Sequence, residues 1–370
     1  MAEEIAFKIS VYAKSDVGVV RSGNEDNFLV LNLSTADTWK PSSTEENPPI
    51  NLTSFNQSHY GSLIAVTDGM GGALAGEVAS RLAVECVRDR MLELQASPAY
   101  SKFPFSERLR LSIELANLYI YQMSVKRAEY SGMGATFTAV GLSGTNAFFG
   151  QVGDSRAYLM RDGHIQQITR DQSLVGQLVE AGHLTEEEAE RHSYRNVILQ
   201  ALGASPHLNV VIDQLAIREM DTFALCSDGL SNKVRPDEMK AIIDDAGSLK
   251  EACDELINLA NGRGGEDNIT VLIAQVSGGR LTPTDEQRTT ALLTSESGPH
   301  VIPRDSGQHS FATDSGQQRK WLERWGAETL PRNPDLPHHI DHDLLDDEDE
   351  ATIPPEEDTI PPVEKADSKE

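Results

Sequence analysis

Leu63-Ile-Ala-Val-Thr-Asp-Gly-Met-Gly-Gly72 decides the fold. Its first four residues are a short continuous apolar run, which reads as a buried strand. Asp68 stands where that strand leaves the core, and Gly69 lets a neighbouring backbone approach closely. Helical periodicity follows from about 76 to 94 (Val78, Leu82, Cys86), and again from about 107 to 127 (Leu109, Ile113, Ala116, Ile120, Met123). The same grammar recurs along the chain. Asp228-Gly229 follows Phe223–Cys226, and Gly153-Asp154-Ser-Arg156 follows Ala147–Val152. Asp267-Asn268 precedes Ile269–Val276, and Glu25-Asp26-Asn27 precedes Phe28-Leu-Val-Leu31.

A single Asp-Gly after a strand is an ordinary turn. Five strands with an acid at one terminus point to a shared rim and one acidic cleft, which would repel itself severely without cations. All-oxygen ligands suit Mg²⁺ or Mn²⁺. The histidines before residue 278 (His59, His164, His183, His192, His207) have no HxH or HExxH spacing, which argues against zinc.

Strands come in pairs and helices in pairs, so antiparallel sheets with helices packed outside are expected. Asp162-Gly163, between Ala157–Met160 and His164–Ile168, signals a two-residue hairpin. Thr185-Glu-Glu-Glu188 and Ser248-Leu-Lys-Glu251 are capping boxes, and the second helix should stop at Asn261-Gly262. Residues 33–60 lack periodicity and are expected to form a long surface loop.

The chain has 370 residues and a formal net charge of −26. That balance argues against a nucleic-acid footprint and against anionic lipid. No apolar run approaches a membrane span, and the N-terminus lacks the features of a secretory signal, so a cytoplasmic protein is expected. Cys86, Cys226 and Cys253 lie far apart among apolar residues and read as buried reduced thiols. Residues 278–370 hold 21 of the 58 acids and 10 of the 17 prolines. Such a segment is expected to be a disordered acidic tail after a folded domain spanning 1–277. Within it, Lys320-Trp-Leu-Glu-Arg-Trp325 is either a sticky spot or a docking motif. Thr352 and Thr359, each before Ile-Pro-Pro, are either kinase sites or part of a solvating linker.

Six motifs, in order over about residues 8–277, resemble the metal-dependent Ser/Thr protein phosphatases of type 2C, the PPM family, in their bacterial form. They are Ser15-Asp-Val-Gly-Val-Val-Arg-Ser-Gly-Asn-Glu-Asp-Asn-Phe28, Val66–Gly72 with Gly76-Glu-Val-Ala-Ser80, Gly132-Met-Gly-Ala-Thr136, Gly153-Asp-Ser-Arg-Ala-Tyr158, Cys226-Ser-Asp-Gly-Leu230 and Gly265-Glu-Asp-Asn-Ile-Thr270. The resemblance implies an α+β fold, a four-layer α/β/β/α sandwich of two antiparallel sheets flanked by helix pairs. It implies two Mn²⁺ or Mg²⁺ ions held by Asp68, Gly69 (through its carbonyl), Asp228 and Asp267, and a third, weaker ion at Asp154. Glu25 and Asp26 would position metal-bound waters, and Arg21 would bind the substrate phosphate.

The implied activity is hydrolysis of phosphoserine and phosphothreonine on proteins by a metal-activated water, opposing a bacterial-type Ser/Thr kinase. A monomer with phosphorylated proteins as partners is expected. Met70 stands where eukaryotic members often carry a proton-donating His, which leaves a metal-bound water as the expected leaving-group acid. Residues 169–202 match the variable flap beside the cleft, with Asn196 near a small polar ligand in relatives. A narrower enzyme acting on one regulatory phosphoprotein is a rival within the fold. A catalytically inactive phosphoprotein-binding module is the rival outside catalysis, and it predicts lost metal ligands.

Overall fold

Ile269–Ser277 is buried along nearly its whole length, on both faces. Such a strand is stable only between two other layers, because each fully buried Val, Leu or Ile contributes about 1.5–3 kcal/mol that an exposed face would forfeit. The computed structural model describes residues 7–41 and 48–278 and places this strand at the centre of a sandwich. The chain divides into two units, Met1–His300 and Val301–Glu370, and all described residues belong to the first. Apart from Gly278, the expected tail, with its tryptophan pair and Thr-Ile-Pro-Pro repeats, lies outside the described residues.

In chain order the strands are β1 (Lys8–Asp16), β2 (Asp26–Asn32), β3 (Thr38–Trp39), β4 (Ser54–Asn56), β5 (Ser62–Met70), β6 (Gly134–Ala135), β7 (Phe137–Ser143), β8 (Asn146–Val152), β9 (Arg156–Arg161), β10 (His164–Gln167), β11 (Val211–Ala216), β12 (Thr222–Cys226) and β13 (Ile269–Ser277). The helices are α1 (Ile50–Thr53), α2 (Ala73–Ala96), α3 (Phe105–Lys126), α4 (Leu174–Glu180), α5 (Glu186–Glu190), α6 (Asp228–Ser231), α7 (Pro236–Asp245) and α8 (Leu249–Gly262).

One antiparallel sheet runs β10-β9-β12-β13-β1-β4, the other β11-β8-β7-β5-β2-β3, with β6 paired to β5. Between them lies a core that includes Val11, Phe28, Val66, Phe149, Phe223 and Leu272. Outside the second sheet, α2 and α3 seal a core through Ala79, Leu82, Val87, Leu109, Ile113 and Ile120, which fall at helical spacing. Outside the first, α7 and α8 do the same through Met239, Ala252, Leu256 and Ile257. The four-layer expectation is borne out.

Local signals hold with particular exceptions. Asp162 and Gly163 both take positive φ, 54° and 77°, between β9 and β10, as a tight hairpin requires. The Thr185–Glu188 capping box forms in both directions. At Ser248 only the side-chain bond from Glu251 N is made, and α8 ends at Gly262 as expected. The segment 33–60 is not simply a surface loop. It contains β3, α1 and β4, and buries Leu33, Leu52 and Gln57. Trp39 meets Tyr12 and Phe28 edge-on, with ring centroids 5.6 and 5.2 Å away, and so closes an open side of the inter-sheet core. Cys226 and Cys253 are buried free thiols, while Cys86 is only half-buried.

The topology gathers the acids. Antiparallel pairing sets the end of β12 beside the start of β13 and the start of β9, through Cys226↔Val271 and Cys226↔Arg156. In the other sheet, Asp26↔Asp68 and Phe137↔Val152 put the start of β2 with the end of β5, and the start of β7 with the end of β8.

Candidate active site

Asp26 is the most deeply set of the acids the sequence singled out, 4% exposed, and its register partner across the sheet is Asp68. Its Oδ2 accepts from Ser227 Oγ at 2.7 Å. Burial pushes its carboxyl up to about 7, against the pull of hydrogen bonds from Ser227 and Thr270 and with a further push from Asp228 and Asp267. Asp68 is held at the backbone, where its N–H donates to Thr136 Oγ1 at 2.9 Å, and that hydroxyl lies 2.7 Å from Ser155 Oγ. Its carboxyl is raised well above the ordinary range by burial, then by the charges of Asp26, Asp228, Asp154 and Asp267. Four other carboxylates thus act on Asp68.

Asp228 opens α6 directly after fully buried β12. Burial and the Asp267 charge raise its carboxyl, while the neighbouring Asp68 and Asn232 side chains pull the other way. Asp154 lies in the turn from β8 to β9, and burial with the charges of Asp228 and Asp171 raises it to about 7. Gly69 must lack a side chain, because a Cβ there would lie 2.1 Å from Gly76 O and 2.8 Å from Glu25 O. Its N–H donates to Glu25 O at 3.1 Å.

Two expected residues stand apart from this group. Glu25 is half-buried, and its carboxylate lies against Gly76 in α2, where an added Cβ would be 2.5 Å from Oε2. Desolvation raises its carboxyl, with Arg21 opposing. Arg21 donates from Nη2 to Asp267 Oδ2 at 2.8 Å, with side chains 51% and 40% exposed. An ion pair that open contributes at most about 1 kcal/mol, so the guanidinium can exchange partners easily.

Among the described residues, no three of these side chains are drawn together tightly enough to enclose an ion as they stand. The donor set nevertheless fits one. Asp26 Oδ1, Asp154 Oδ1 and Asp228 Oδ1 are shut off from solvent and have no hydrogen-bond partner among the described residues. Carboxylate oxygens that are buried and unpartnered are a standing cost that a hard divalent cation removes.

The flap, 169–202, carries α4 and α5 and is tied down at both ends. Asp171 accepts from Arg156 Nη2 at 2.7 Å and from its Nε at 3.0 Å. Leu202 and Ala135 exchange backbone bonds of 2.8 and 3.1 Å. Asn196 is exposed on it. Sequence reasoning missed the supports of the acids, Ser227, Thr136, Ser155 and Asn268. Their only signal was a small polar residue within a few positions of a strand-end motif, which is too common to stand out.

Comparison with known proteins agrees with this geometry. Residues 52–272 match the family described as protein phosphatase 2C. The chain is similar to the serine/threonine phosphatase Stp of Listeria welshimeri, 34% identical over 262 residues, which are 71% of this chain and 94% of that protein. It is similar in structure to the serine/threonine phosphatase PstP/Ppp of Mycobacterium tuberculosis, at TM-score 0.58 and 31% identity, covering 73% of this chain and 100% of that one. The catalytic domain of PstP, solved with two manganese ions, aligns at TM-score 0.57 and 30% identity, covering 74% and 100%. The chain belongs to the protein phosphatase 2C family, the metal-dependent Ser/Thr protein phosphatases.

Proposed function

We propose that this chain removes phosphate from phosphoserine and phosphothreonine of proteins, including a Ser/Thr kinase that its activity opposes, as a cytoplasmic monomer. No helix among the described residues is long and apolar enough to cross a membrane. The observation that carries the activity is the convergence of Asp26, Asp68, Asp154, Asp228 and Asp267 on one rim, with three carboxylate oxygens left unpartnered. In this reading Asp68, the Gly69 carbonyl, Asp228 and Asp267 hold two Mn²⁺ or Mg²⁺ ions, and Asp154 contributes to a third. When bound, the ions supply an activated water and positive charge toward the phosphoryl oxygens.

The chain's own residues do the rest. Asp26, fixed by Ser227, and Glu25, set against the first turn of α2, orient water around the cleft. Arg21 leaves Asp267 for the substrate phosphate, where its planar donors pair with two oxygens at once. Arg21→Ala is therefore expected to cost about 1.5–3 kcal/mol, the range for a charge-assisted hydrogen bond, chiefly in kcat/KM. Steady-state kinetics on a phosphothreonine peptide, with phosphate inhibition measured alongside, check this. Collapse of metal affinity with normal phosphate inhibition would overturn the assignment.

We assign hydrolysis to residues 1–277. A chain lacking 278–370 is expected to hydrolyse the same peptide within a few-fold of the full chain's rate, and a large loss would move the domain boundary. An inactive binding module would instead bind phosphoprotein without turning it over. Hydrolysis assays with Mn²⁺, and then with EDTA, separate that reading from the enzyme.

A further inference from the structure

Arg21 has almost nothing to hold it but its own backbone. Its side chain is half exposed, and its hydrogen bond goes to Asp267, the partner it must leave to reach a phosphate. What fixes its position is the loop that carries it, and one amide ties the two flanks of that loop together. Asn268, 5% exposed, donates through Nδ2 to Val17 O and to Gly23 O, each at 2.9 Å. Its Oδ1 accepts from Glu25 N at 2.8 Å. The two carbonyls bracket Arg21 on either side, and the third bond fixes the residue at which the chain enters β2.

The pattern demands asparagine. Two donors and an acceptor on one short planar group match the amide, whereas aspartate has no donor and glutamine is one methylene longer. The loop is interlocked with the segment before Asn268 as well. Val19 N and Val20 N both donate to Gly265 O, at 2.8 and 3.2 Å. Gly18, at φ 81°, passes so close that a Cβ there would lie 2.2 Å from Asp267 O. Asp16 Oδ1 accepts from Gly18 N at 2.9 Å and from Asn261 Nδ2 at 3.0 Å.

We propose that Asn268 is a positioning residue for phosphate recognition: its amide closes the 17–23 loop so that Arg21 is presented to the substrate phosphate in register with the acid cluster. The proposal rests on the reading of Arg21 as the phosphate-binding group. Without the amide, the loop gains backbone freedom that must be lost again each time Arg21 engages a phosphate.

The test uses the full-length, Mn²⁺-loaded chain as wild type, Asn268→Ala, Arg21→Ala and the double variant, with Asn268→Ser as a smaller perturbation should the alanine variant fold poorly. Inhibition by inorganic phosphate, kcat/KM on a phosphothreonine peptide and Mn²⁺ affinity by calorimetry are measured. Asn268→Ala is expected to weaken phosphate inhibition about tenfold, as one decade of affinity, with Mn²⁺ affinity within about threefold. The double variant should be no weaker than Arg21→Ala alone, because both changes remove one contact. Losses that multiply, or unchanged phosphate inhibition in Asn268→Ala, would overturn the proposal.

Hydrogen exchange on the metal-free protein decides the clamp independently of activity. Loss of protection confined to residues 17–25 in the Asn268 variants is expected, whereas unchanged protection there, or loss throughout the chain, overturns it. A wild-type protein that fails to hydrolyse the peptide would refute the proposed function and leave the exchange result to judge the loop.

Discussion

Asp228→Asn is expected to abolish hydrolysis while leaving the fold intact and the metal-free protein more stable. The side chain opens α6 at the end of β12, all five of whose residues are buried, so its placement is dictated by the core and not by a mobile loop. Its Oδ1 is buried without a partner, and its Oδ2 accepts from Asn232 Nδ2 at 3.2 Å. An asparagine has nearly the same shape and keeps an oxygen for Asn232, but it brings no negative charge to a cation. Losing a ligand charge at a two-metal site removes several kcal/mol of transition-state stabilisation, which is about a thousandfold or more in rate. The same change relieves repulsion from Asp267 in the metal-free state, where burial already disfavours the charged carboxylate. Three measurements are called for: turnover at saturating Mn²⁺, Mn²⁺ affinity by calorimetry, and Tm after EDTA treatment. Turnover should vanish, affinity should fall and Tm should rise. Near-normal turnover would remove Asp228 from the metal site altogether.

The strand-end acids were legible in the sequence because each ends or begins a short apolar run bounded by turn residues, which reads as a buried strand. The rim they share was not, since it depends on register. Asp26 and Asp68 face each other because β2 and β5 pair antiparallel with those two residues as partners, a relation that no spacing within either segment encodes. The supports were hidden for the same reason. Ser227 reaches Asp26 across 201 positions, and Asn268 reaches Glu25 across 243. The segment 33–60 was misread because its ordering comes from isolated contacts, such as Trp39 between Tyr12 and Phe28, and not from any period. Helix α7 carried a readable signal in Pro236-Asp-Glu238, a proline at the first helical position followed by acids in the first turn. The short α4 offered only Ser173 as a cap, accepting from Gly176 N.

The metal-free protein should lose stability as pH rises from about 5 to 8, and divalent metal should restore it most strongly at the upper end. Asp26 and Asp154 are each raised to about 7 in the folded chain, from an ordinary carboxylate value near 3.8, and Asp68 and Asp228 are displaced in the same direction. Burial is the first cause in all four, and mutual repulsion adds to it. A carboxyl raised in this way binds its proton more tightly folded than unfolded. Its stabilising contribution is full below the unfolded pKa and is lost as pH climbs through the folded one. The apo chain is thus expected to melt roughly 5–10 °C lower at pH 8 than at pH 5, a shift of a few kcal/mol for a domain of this size. In the proposed site Mn²⁺ requires its ligand carboxylates deprotonated, so its binding must expel protons. Thermal scans across that range with EDTA and with Mn²⁺, joined to calorimetry in buffers of different ionisation enthalpy, measure both quantities. Asp228→Asn should flatten the apo curve, because it removes one of the charges that hold the other carboxyls high. An EDTA-treated wild type whose Tm stayed level or rose over this window would mean that the acids do not share a buried cluster, and the metal centre built on them would fall with it.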